Sequence, residues 1–180
     1  MDRRRHGPFL SVSDSHQIDM ERSIISCLFI CFALLNSGHA QGQENKAIQW
    51  LSFAQLHDSL RMGDPKKVLV YFHADWCAPC KKMERNTFTD PEVVHLLNKG
   101  YHTVKMDVES RDSIRFGERM YVNKNHGKRN PVHEIPLLLA SRKNKPFSLP
   151  AIILFDVNFK ATARYFQFLD AKQLVGILEE

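Results

Sequence analysis

Val68-Leu69-Val70-Tyr71-Phe72-His73-Ala74-Asp75-Trp76-Cys77-Ala78-Pro79-Cys80-Lys81-Lys82-Met83 is the stretch on which the fold turns. Its first five residues are apolar without alternation and rich in β-branched and aromatic side chains. That pattern predicts a strand buried on both faces, hence central and parallel. Lys81 to Asn86 reads as a helix. Between strand and helix stand two cysteines, separated by two residues. At such a junction the pair is a dithiol that closes into a disulfide and reopens. The first thiol sits at the helix start, where unpaired backbone N–H groups and the helix dipole favour its thiolate. The same two sulfurs, with a histidine, also have the softness to hold copper or zinc.

Working outward, the chain of 180 residues has room for one domain plus extras. Its formal charge of +5 is scattered, with no basic stripe interleaved with aromatics, so a nucleic-acid partner is not expected. Ile24 to Leu35 is almost continuously apolar, follows Arg22, and precedes Ser37-Gly38-His39-Ala40. This is the pattern of a secretory signal cleaved after Ala40. The run is short of the ~20 residues that span a bilayer, which disfavours an uncleaved anchor. Translation from Met20 instead of Met1 would give a signal of ordinary length. The expected organisation is an N-terminal extension and signal over 1–40 and one folded domain over 41–180. Cleavage removes Cys27 and Cys31, leaving Cys77 and Cys80 as the only cysteines. A structural disulfide framework and a four-cysteine zinc site are thereby excluded.

Ser52 and Gln55 have the spacing of a capping box, and Phe53, Leu56 and Leu60 follow at helical intervals until Gly63 and Pro65. Asp90-Pro91 predicts a helix start, with the helix running to Asn98 and ended by Gly100. Tyr101 to Met106 reads as a second strand. Residues 109–148 form a long connection. Within it, Gly117-Glu118 joins two alternating runs into a hairpin. Val132, Ile135, Leu138 and Leu139 mark the apolar face of a short helix. Gly127-Lys128-Arg129-Asn130 is basic but lacks phosphate-loop spacing. Pro150 to Phe155 reads as a buried strand, Lys160 to Phe168 as an edge strand, and Asp170 with Gln173 as the capped start of a final helix. The fold class is α/β, with helices on both faces of a central sheet.

Residues 68–81, Leu149 to Phe155 and the closing strand and helix together resemble the thioredoxin superfamily. Thr87-Phe88-Thr89-Asp90-Pro91-Glu92-Val93 is similar to the C-terminal periplasmic domain of the DsbD-type reductant conduit, and residues 109–148 resemble an insertion of secreted thioredoxin-like proteins. The resemblance implies a thioredoxin fold, with a mixed sheet and a hairpin-plus-helix insertion before the strand opened by Pro150. It also implies thiol–disulfide exchange with protein thiols and disulfides, a membrane-bound electron donor, a monomer, and no cofactor beyond the Cys77–Cys80 pair.

On that basis Cys77 is the expected nucleophile and more exposed sulfur, and Cys80 the resolving one. Ala78 and Pro79 set the geometry of the loop. Leu149 and Pro150 match the segment beside the dithiol in that family, where the X–Pro bond is cis; read by itself, Pro150 is an ordinary strand-starting proline. Trp76 either offers a flat apolar surface to substrate or packs in the core. Tyr71 stands where the family often has a buried carboxylate that accepts the proton of the resolving cysteine, and a phenol is a poor base at neutral pH. Asp75, water or His73 could replace it. By strand alternation His73 shares a face with Tyr71, where it either packs or handles protons. Lys81 and Lys82 read as solvated surface. No second ligand cluster accompanies the cysteines, so no metal is expected. The competing reading is a dithiol module that binds metal or peptide without turnover. The insertion is expected to cap the fold or shape substrate choice near Pro150.

Overall fold

The computed structural model describes residues 47–180, which belong to one compact unit, Glu44–Glu180. The expected signal and its cleavage site lie outside the described residues. Five strands form a mixed sheet in the order β1-β3-β2-β6-β7. They are β1 (Trp50–Leu51), β2 (Lys67–His73), β3 (Tyr101–Asp107), β6 (Ala151–Phe155) and β7 (Ala161–Tyr165). A separate hairpin joins β4 (Ile114–Phe116) to β5 (Arg119–Tyr121). The helices are α1 (Phe53–Arg61), α2 (Ala78–Lys82), α3 (Pro91–Gly100), α4 (Glu134–Ala140) and α5 (Ala171–Leu178).

β2 is central, as its unbroken apolar run requires, but only one of its neighbours is parallel. It pairs with β3 in parallel and with β6 antiparallel. Residues 68–72 are fully buried. Burial of each such side chain favours the fold by about 1.5–3 kcal/mol before its ordering entropy is counted. Successive residues point to opposite faces. Phe72 stacks on Phe53 of α1 at 6.4 Å. Tyr71 points the other way and meets Phe88 edge-on at 4.8 Å. Helices therefore cover both faces.

The capping signals hold at the level of atoms. Ser52 and Gln55 close a capping box on α1, Asp170 and Gln173 close one on α5, and Asp90 accepts from Glu92 and Val93 ahead of Pro91. Gly63 leaves α1 with a positive φ of 76°, a conformation open to a residue without Cβ. Gly100 is the last residue of α3 rather than its stop, since the chain passes directly into β3 at Tyr101.

The insertion contains the expected hairpin, turning at Gly117 with φ 62°. The hairpin docks on α1. Phe116 meets Phe53 edge-on at 5.5 Å, and the Gly117 amide donates to His57 Nδ1 at 3.4 Å. α4 is shorter than its apolar pattern suggests. It buries Ile135, Pro136 and Ala140, whereas Leu138, expected inward, is 62% exposed. In a helix of under two turns, four apolar residues do not define one face. Pro136 is tolerated because it lies in the first turn, where no intrahelical partner for its missing N–H exists.

Candidate active site

The site is built where β2 runs out. After His73 the chain turns, and the Cys77 amide donates to the Ala74 carbonyl at 3.0 Å. Cys77 is the N-cap of α2, with extended backbone and its sulfur accepting from the Cys80 amide at 3.2 Å. The sequence forces this start. Pro79 in the first helical turn needs no N–H partner, and its fixed φ is already helical. Cys77 and Cys80 are joined as a disulfide with Cα atoms 5.2 Å apart. An amide aimed at Cys77 Sγ from a helix start stabilises the thiolate that appears when this bond opens. α2 then continues as a π-helical turn, Met83–Thr87, in which the Phe88 amide reaches back to the Met83 carbonyl. Such turns cluster at functional sites.

Neither sulfur is openly presented. Cys77 is 3% and Cys80 1% exposed, so Cys77 is the more exposed of the two by a small margin and both are buried. The residues beside Cys77 in the chain are exposed: Asp75, Ala78, Pro79 and Trp76. Of the two readings of Trp76, the structure favours surface over core. The side chain is 67% exposed, and its Nε1 donates to Glu109 Oε1 at 2.7 Å. Ala151 pairs with Phe72, which brings the preceding Pro150 to the end of the sheet from which β2 runs on to Cys77. The Leu149–Pro150 bond is cis, as the resemblance implies. Pro150 is buried and Leu149 half-buried.

Behind Cys80 lies a cluster of titratable groups. The Tyr71 hydroxyl donates to the Cys80 carbonyl at 3.3 Å. Burial, and then the neighbouring Glu84 carboxylate, push the phenol far above its ordinary range, so it stays protonated. The His73 ring stacks on Tyr71 with centroids 5.7 Å apart, on the face that strand alternation assigns it. Its Nδ1 is 3.8 Å from Glu84 Oε1, and Lys105 Nζ is 3.0 Å from the same oxygen. Burial and then Lys105 hold the His73 imidazole below its usual value, while Glu84, Asp107 and Asp75 oppose them. Asp75 itself is on the exposed turn. Lys81 and Lys82 are exposed as expected, with Lys82 Nζ 4.6 Å from the centre of the Phe168 ring.

Glu84 is the residue that sequence reasoning missed. Its signal was there: it follows Cys80 by four residues, one helical turn, and so falls on the same side as that cysteine. Among the described residues no group of three or more His, Cys, Asp or Glu side chains is placed to hold a metal ion, and no helix is long and apolar enough to cross a membrane.

Comparison with known proteins agrees with this geometry. A Thioredoxin-like family model matches residues 63–139. The thiol:disulfide interchange protein DsbD of Actinobacillus pleuropneumoniae is 28% identical over 149 residues, covering 81% of this chain and 22% of that protein. The DsbD of Haemophilus ducreyi is 45% identical over a shorter stretch of 42 residues, 23% of this chain and 7% of that protein. The chain thus spans under a quarter of the length of these relatives. Among solved structures, a DsbH oxidoreductase superposes with TM-score 0.51 at 20% identity, covering 80% of this chain and 90% of that one. A thioredoxin from Thermus thermophilus superposes with TM-score 0.50 at 15% identity, covering 74% and 85%. With its mixed sheet, its cysteine pair at a helix start and these matches, the chain has the thioredoxin-like fold and carries a Thioredoxin-like domain over residues 63–139.

Proposed function

We propose that this chain is an exported thiol–disulfide oxidoreductase that reduces or exchanges disulfides in proteins. The observation that carries the reading is the placement of Cys77 as the N-cap of α2, bonded to Cys80 and flanked in the chain by exposed residues. In the reduced protein the Cys77 thiolate attacks one sulfur of a substrate disulfide. A mixed disulfide forms and one substrate thiolate leaves. Cys80 then loses its proton and attacks Cys77 Sγ, closing the Cys77–Cys80 bond and releasing the second substrate thiolate. The substrate gains two electrons and two protons, and a membrane-bound dithiol donor restores the reduced pair. Similarity to DsbD and the signal pattern of residues 24–40 support export. We expect the protein to act as a monomer.

The proton of Cys80 needs an acceptor, because Cys80 is buried and Tyr71 is no base. We assign that role to Glu84, with His73 and Lys105 adjusting the charge around it. Tyr71 holds the backbone of Cys80 in place.

The test is direct. Reduced protein mixed with insulin should lose its two active-site thiols while two appear on insulin, and Cys77→Ser should abolish the transfer. Free thiols that stay on this protein, or transfer that survives Cys77→Ser, would refute the assignment.

A further inference from the structure

The loop leaving β3, residues 108–112, where the insertion begins, is held at four points by Asn123 and His133 further along it. The His133 amide donates to the Val108 carbonyl at 2.8 Å. Asn123 Nδ2 donates to the Ser110 carbonyl at 3.0 Å and to Pro131 at 2.6 Å, and lies 3.5 Å from the Glu109 carbonyl. The His133 ring closes the far end. Its Nδ1 accepts from the Ile135 amide, so Nε2 carries the hydrogen and donates to the Asp112 carbonyl at 3.1 Å. Asn123 is 4% exposed and His133 wholly buried. The two side chains are buried while the bonds they make are part-buried, so removing an acceptor leaves a buried polar group short of a partner.

The residue in the middle of this clamped loop is Glu109. Its amide donates to Asp107 Oδ1 at 2.9 Å, which fixes its backbone from the strand side as well. Its carboxylate takes the Trp76 indole N–H. A continuous path therefore runs from Asn123 and His133 through Glu109 to the exposed ring beside Cys77. A tryptophan two-thirds exposed would otherwise sample several rotamers, and this one directly precedes Cys77 in the chain.

We infer that Glu109 is a positioning residue for Trp76, and that the insertion, through Asn123 and His133, sets the surface on which the polypeptide flanking a substrate disulfide docks. This deepens the oxidoreductase reading and rests on it. The insertion acts on substrate choice through the Trp76 side of the dithiol. Its hairpin contributes by anchoring on α1.

A substrate comparison tests this and separates it from the function itself. Glu109→Leu removes the indole acceptor, and Glu109→Gln keeps one. With a protein disulfide such as insulin, Glu109→Leu should raise KM by about fivefold, the effect expected when one large side chain must be ordered on binding. Its kcat should hold, and Glu109→Gln should restore the KM. With a small disulfide such as 2-hydroxyethyl disulfide, all variants should match the wild type within about twofold, because no polypeptide crosses Trp76. Asn123→Ala should repeat the Glu109→Leu pattern from the interior, and should also move the Trp76 indole N–H resonance in an ¹⁵N spectrum. If Asn123→Ala is poorly folded, the Glu109 pair alone decides. Equal losses on both disulfides, or an unchanged KM for insulin in Glu109→Leu, would overturn the inference. Loss of small-disulfide exchange in the wild type would instead overturn the oxidoreductase reading.

Discussion

The Tyr71 hydroxyl donates to the Cys80 carbonyl from the adjoining strand, tying the second cysteine's backbone to the centre of the sheet. Both residues are buried. The phenol thus acts here as a hydrogen-bond donor and, held protonated by burial, not as a base. Removing the hydroxyl while keeping the ring separates these two properties. Tyr71→Phe should lower stability by about 1 kcal/mol, the usual net worth of one buried hydrogen bond. In urea unfolding the midpoint should fall with the slope unchanged. The pH dependence of exchange should keep its shape, because burial keeps the phenol protonated.

Glu84 touches both His73 and Lys105, and its removal should be read at both ends. Glu84 opposes the burial and Lys105 effects that lower the His73 titration. Glu84→Gln should therefore move that titration further down, followed by the His73 ring resonances across pH. The same variant should slow closure of the mixed disulfide by about tenfold. That is less than the 10²–10⁴ typical of a positioned acid–base group, because water can take part of the role. An unmoved His73 titration would separate Glu84 from the cluster.

His73 gives the fold a pH dependence of definite sign. Its folded titration lies below the ordinary value, chiefly through burial. The unfolded chain therefore binds this proton more readily. Stability rises with pH in that range. The contribution is complete above the unfolded value, about 6.5, and is lost as pH falls below it and through the folded value. His73→Gln should be less sensitive to acidification from pH 7.5 to 5 than the wild type in parallel urea titrations. A steeper acid loss in the variant would reverse the sign.

Asp90 accepts from two amides at the start of α3, which packs on β3 and α5. Asp90→Ala should cost about 1 kcal/mol. Thermal unfolding should register the loss with exchange activity intact, since Asp90 takes no part in the chemistry.

Much of this architecture is legible in the sequence because the signals are local. Capping boxes at Ser52 and Asp170, the Asp90-Pro91 start and the Gly117 turn depend on neighbours within a few residues, and each appears where its chemistry puts it. β1 was not legible: two residues carry no periodicity, and the strand exists because Trp50 and Leu51 pair with β3. The π turn is likewise hidden, since its apolar spacing looks helical and only the bond from Phe88 to Met83 reveals it. At the site, Cys77, Cys80 and Pro150 could be named from the sequence. Glu84 follows Cys80 by one turn, but that spacing does not by itself separate it or Glu109 from other carboxylates; contact with Lys105 and His73, and with Trp76, does.

The central claim is that Cys77 attacks and Cys80 resolves. Reduced Cys80→Ser protein incubated with a protein disulfide measures this most directly, read by intact mass and peptide mapping. The account predicts a stable covalent adduct joined through Cys77, absent from wild type and from Cys77→Ser. An adduct that forms through Cys80 in Cys77→Ser protein, with none through Cys77, would contradict it.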